Sequence, residues 1–144
     1  MKTTILRSSL TALACTAVLA FATPGIAATV NLKADLKGSS EVPPTDSKGG
    51  GSVAATYDTA SKKLSWKGTV SGLSGPPTAA HFHAGEPGKN GGVVVPIAGA
   101  DKGSFEGSAT LTDEQAADLM AGKWYVNVHT AANKAGEVRG QVTK

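Results

Sequence analysis

KWYVNVHTAANKAGEVRGQV, residues 123–142, reads as two alternating strands joined by a turn. Side chains along a β-strand alternate between the two faces of a sheet. Trp124, Val126 and Val128 therefore share one face, and Tyr125, Asn127 and His129 share the other. Residues 131–136, AANKAG, read as a turn. Beyond it, Val138, Gly140 and Val142 alternate with Glu137, Arg139 and Gln141. Two strands joined in this way give a sheet with one apolar face and one crowded polar face.

Working outward, AAHFHA at residues 79–84 has the same design. His81 and His83 point to one side and Phe82 to the other. The chain has three histidines, and the third is His129. If the two histidine strands are neighbours, all three imidazoles share the polar face with Tyr125, Asn127, Glu137 and Arg139. That face is the candidate functional surface.

The remaining segments fit the same architecture. Residues 29–37, TVNLKADLK, alternate with Val30, Leu32, Ala34 and Leu36 inward. EVPP at residues 41–44 and the glycines at 49–51 make a loop, since two prolines cannot serve a central ladder. Glu41 at its start is placed to fold back toward the polar face. Residues 52–58 and 64–73 form a hairpin around DTASKK. GEPGKNGG at 85–92 reads as an exposed turn. VVVPIA at 93–98 carries Pro96 and suits an edge strand, and GSFEGSATL at 103–111 is a further strand. One helix signal stands out in residues 111–122. Thr112 is an N-cap with Gln115 three residues on, as in a capping box, and Gly122 suits a left-handed close. The expected fold is an all-β antiparallel sandwich or flattened barrel of seven to eight strands, with one short crossover helix. Trp66 and Trp124 fall in phase with apolar neighbours and read as core residues.

Residues 1–27 read as a signal peptide. Lys2 and Arg7 provide a basic start, residues 10–23 an apolar run, and Gly25-Ile26-Ala27 small residues for cleavage. The run is shorter than a membrane span needs, so the domain at 28–144 is expected to be secreted or periplasmic with no membrane insertion. Cys15 is the one cysteine and lies in this leader, so no disulfide is expected. Removing Lys2 and Arg7 from a formal charge of +3 leaves +1. The lysines are scattered and aromatics do not interleave with a basic patch, so nucleic acid is not an expected partner.

Several of these segments together carry a family resemblance. EVPP, VSGL (70–73), AHFHAGEPGKNGGVVVPI (80–97), LTDEQAADLMAGKWYVNVHT (111–130) and GEVRGQV (136–142) resemble the CHRD domain, the chordin-type module also found singly in secreted bacterial proteins. The resemblance covers the whole of 28–144 and implies one β-rich domain. It does not imply growth-factor antagonism, which belongs to a large multidomain animal protein with cysteine-rich modules. The family is distantly similar to the copper-zinc superoxide dismutase sandwich, in which an HxH pair on a strand binds copper. His81 and His83 match that pair. The chain offers one further histidine, no bridging histidine with an aspartate cluster, and no disulfide.

Two functional readings follow. The first is a non-enzymatic CHRD-type module whose polar face binds a protein, polymer or metal ion, or holds a loop. In it, His81 is placed to fix the GEPGKNGG turn, and Glu137 and Arg139 to pair with each other or with neighbours. The second is a copper or zinc site of His81, His83 and His129, open to weak redox or dismutase-like chemistry, with water, Tyr125 or Glu137 further out. No catalytic nucleophile, acid pair or cofactor-binding motif appears.

Overall fold

The structure, a computed structural model, describes residues 27–144. The leader expected at 1–27 lies, but for Ala27, outside them. The strands are β1 (Thr29–Lys37), β2 (Gly50–Asp58), β3 (Lys63–Ser71), β4 (Pro77–Ala84), β5 (Val93–Ile97), β6 (Ser104–Thr110), β7 (Trp124–Thr130) and β8 (Val138–Gln141), with α1 (Asp113–Met120) between β6 and β7. They form one antiparallel sheet in the order β5-β4-β7-β8-β1-β2-β3-β6. Its two edges, β5 and β6, approach each other, so the sheet curls into a nearly closed barrel. Closure protects exposed ladder groups from pairing with other chains.

The interior is built by period-two alternation. Leu32, Ala34 and Leu36 of β1 are buried, as are Val53, Ala55 and Tyr57 of β2. Trp66 of β3 meets Phe82 of β4 edge-on, with ring centroids 5.2 Å apart, and Phe82 lies 6.0 Å from Trp124 of β7. β3 and β4 are not neighbours in the sheet, so this aromatic line crosses the barrel interior and ties opposite walls together. Such pairs contribute about 0.5–1.5 kcal/mol each beyond their buried area. The helix has the expected capping box. Thr112 Oγ1 accepts from the Gln115 amide at 3.2 Å, and Gln115 Oε1 accepts from the Thr112 amide at 3.0 Å. Leu119 buries against the core, Ala116 and Met120 pack beside it, and Gly122 closes the helix at φ 73°. Among the described residues, no helix is long and apolar enough to cross a membrane.

The outward face of β4, β7 and β8 differs from the rest of the surface. His83, Tyr125, Asn127 and Arg139 lie on it, yet all four are buried. Two segments cover them: residues 85–92 between β4 and β5, and the turn after β1 that carries Glu41.

Candidate metal centre

The β4–β7 ladder sets the histidine positions. It pairs Ala79 with His129, His81 with Asn127, and His83 with Tyr125. His129 is thus the diagonal neighbour of His81, at a separation side chains of this length bridge. His81 Nδ1 stands 3.2 Å from His129 Nε2. One nitrogen from each of the three rings falls within 4.8 Å of the others. His83 is the deep member at 8 % exposure, and His81 and His129 are half-buried at the mouth.

Backbone carbonyls select the tautomers. His83 Nδ1 donates to Gly91 O at 2.9 Å, and His129 Nδ1 donates to Lys134 O at 2.9 Å. A ring whose Nδ1 carries the donated proton has its lone pair on Nε2. Both Nε2 atoms are therefore ligand-ready. This carbonyl-backed imidazole is the usual support behind a metal-bound histidine. His83 Nε2 is buried and has no hydrogen-bond partner among the described residues. Burial, and next the nearby His129 and His83 rings, push the His81 pKa below the ordinary 6.5. Burial pushes His83 the same way against the opposing pull of the Gly91 carbonyl. Both rings are thus neutral at neutral pH, the form that binds a cation.

Residues 85–92 form a strap over this face. Arg139 donates from Nη1 to Asn90 Oδ1 at 2.9 Å and from Nη2 to Lys89 O at 2.6 Å. Gln141 donates to Gly85 O at 2.9 Å and to Gly122 O at 2.8 Å. Asn90 reaches across to Val42 O at 2.8 Å, linking the strap to the Glu41 turn. The Tyr125 hydroxyl accepts from the Gly91 amide at 3.1 Å and donates to Gly91 O at 3.3 Å. Its ring stacks on His83 at 4.8 Å and 7°, and the Arg139 guanidinium carbon lies 3.4 Å from the Tyr125 ring centre. Only glycine fits at 91, where a Cβ would stand 1.5 Å from Ala84 O.

Three expectations change in detail. The strap is exposed on its outer side, but its inner backbone caps the polar face, and His83 rather than His81 fixes it. Glu137 does not pair with Arg139: its carboxylate takes donors from Ser47, Ser74, Thr130 and Asn133. Tyr125 and Glu137 are both fully engaged in this way, so neither is free as an outer ligand. Glu41 does fold back, beside Asn127 and within the field of Arg139. The sequence reading missed the carbonyls of Gly91 and Lys134, because backbone acceptors leave no trace in residue identity. Gly91 and Gly92, after Asn90, were the available hint.

A model of the CHRD domain family matches residues 32–142. No curated protein and no solved structure matches the chain. The match runs from β1 through β8 and contains all three histidines, both tautomer-setting carbonyls and the strap: this chain belongs to the CHRD domain family.

Proposed function

We propose that this domain is a non-enzymatic, exported module that holds one copper or zinc ion on His81, His83 and His129. The observation that carries the reading is the buried, unpartnered Nε2 of His83, aimed by the Gly91 carbonyl at two further imidazoles. Metal–nitrogen bonds of about 2.0–2.1 Å at a tetrahedral angle put two ligand nitrogens about 3.3 Å apart. The His81–His129 pair already stands at 3.2 Å. The third ligand nitrogen, from His83, lies within 4.8 Å of both. Three imidazoles suit copper and zinc, and a half-exposed mouth leaves a fourth position open.

Without metal, the pair is held by one proton. His129 Nε2 has the lone pair, so His81 Nδ1 is the donor across the 3.2 Å gap. With a metal on Nδ1, the neutral His81 ring would keep its one proton on Nε2, so loading changes the tautomer rather than the charge of the ring.

The test is to purify residues 28–144, load them with copper or zinc, remove free metal and measure the bound equivalents. One retained equivalent in the parent chain and none in His83→Ala is the expected result. No retained metal, with a melting temperature that ignores chelator, points instead to a polar cluster whose role is to hold the strap. The hydrogen bonds from His83, Tyr125, Arg139 and Gln141 to the strap favour that second reading.

A further inference from the structure

Beneath the three histidines lie two more buried acceptors without donors. Asn127 is 3 % exposed and Glu41 is 6 % exposed. Asn127 Oδ1 and Glu41 Oε1, like His83 Nε2, have no hydrogen-bond partner among the described residues. Asn127 faces His81 across the ladder and lies two residues from His129 on the same strand face. Its Nδ2 turns to Ala135 O at 3.4 Å. The Asn127 amide also lies beside the His83 ring. Glu41 comes in from behind. An ideal Cβ at Gly136 would stand 2.4 Å from Glu41 Oε1 and 2.7 Å from Asn127 Nδ2, so glycine leaves the room both need. Arg139, the cation nearest this group, directs its donors to Asn90 and Lys89 instead.

A buried acceptor left without a donor costs about 1–3 kcal/mol. An ion on the histidines satisfies His83 Nε2 but leaves the Asn127 oxygen as it was. We propose that Asn127, backed by Glu41, makes the open coordination position selective for a small ligand that carries its own hydrogen-bond donor, and selective against acceptor-only anions. Water is the simplest member of that class, and hydrogen peroxide and small amines share its chemistry. A bound water donates one proton to Asn127 Oδ1 while its oxygen faces the ion. An anion such as azide has no proton to donate and sets its lone pairs against those of Asn127 and Glu41. This inference rests on the metal centre proposed above and adds what that centre accepts.

The experiment uses the copper(II)-loaded protein and azide as probe, followed by the azide-to-copper absorption band. Asn127→Leu removes the acceptor at similar volume, and Asn127→Asp strengthens it. The expected result is azide affinity at least about tenfold higher in Asn127→Leu than in the parent, and lower in Asn127→Asp. Relaxation of solvent water protons by the copper, strong in the parent, is expected to weaken in Asn127→Leu. Opposite signs for the two substitutions are not produced by loosened packing. If Asn127→Leu does not fold, the Asp variant and the parent's water relaxation decide. One copper retained with azide affinity unchanged in the folded variants, or no exchangeable water on the parent's copper, overturns this inference alone. No copper retained by the parent overturns the metal centre with it.

Discussion

Glu137 and Glu41 are two buried carboxylates of one barrel, and they are treated in opposite ways. Glu137 is fully buried at the start of β8. Its Oε1 accepts from Ser47 Oγ and the Ser74 amide, both at 2.7 Å. Its Oε2 accepts from Ser74 Oγ and Thr130 Oγ1, each at 2.5 Å, and from Asn133 Nδ2 at 3.1 Å. Burial alone would raise its pKa, but these donors outweigh burial and hold it at about 2. At Glu41 burial wins over the pull of Arg139, and the pKa rises to about 7. Donor supply, not depth, separates the two groups. Where the network is complete the carboxylate fastens loops, here those carrying Ser47, Ser74 and Asn133. Beside the histidines, acceptors are left over without partners among the described residues. Buried polar groups are nearly always paired, so the leftover set is the informative one.

The largest effect that breaks this contrast is expected from Glu137→Ala. It strips the common acceptor from four residues and should cost about 3 kcal/mol or more in urea denaturation at pH 7. The sign with pH follows from the lowered pKa. The stabilisation from Glu137 is complete above the ordinary 4.5 and is lost as pH falls through about 2. The parent should therefore lose stability toward acid relative to the variant, and a constant difference between them down to pH 2 would refute the account.

Glu41→Gln gives the mirror image. A raised pKa means the protonated form is the one the fold favours. The contribution is present below 4.5 and is lost as pH rises through about 7. The parent should lose up to about 3 kcal/mol between these limits relative to Glu41→Gln. The two stability curves, measured by thermal melting at constant ionic strength, should converge at pH 4 and separate by pH 8. Parallel curves would mean that Glu41 is already supplied with donors. The smallest effect sharpens the strap's part in the comparison. Arg139→Lys keeps the charge but loses the planar fork over Tyr125, and should cost about 1 kcal/mol. Amide exchange in residues 85–92 should quicken while β1–β3 stay protected. Unchanged exchange in the strap would assign its order to other contacts.

Much of this architecture was legible from residue order. Alternation in TVNLKADLK, AAHFHA, WYVNVHT and GEVRGQV placed strands close to their observed bounds, and Thr112 with Gln115 placed the helix start. These signals are local: a side chain's face follows from parity, and a cap from four consecutive residues. The polar face was legible for the same reason. Strand parity puts His81, His83, Tyr125, Asn127, His129 and Arg139 on it, but parity says nothing of partners. Glu137 went to hydroxyls on distant loops, Arg139 to the strap and the Tyr125 ring, and the loop-fixing role to His83.

The sequence by itself determined an all-β domain with a single capped helix and three histidines in two strands, because strand and cap chemistry act within a few residues. Tertiary structure alone decided that β4 and β7 are neighbours in a register that puts His129 diagonal to His81. It also decided that Gly91 and Lys134 carbonyls orient two imidazoles, and that Glu41 Oε1 and Asn127 Oδ1 lie buried without donors. Those outcomes depend on which backbone groups arrive opposite which side chains once the chain has closed into a barrel, and no local pattern encodes that meeting.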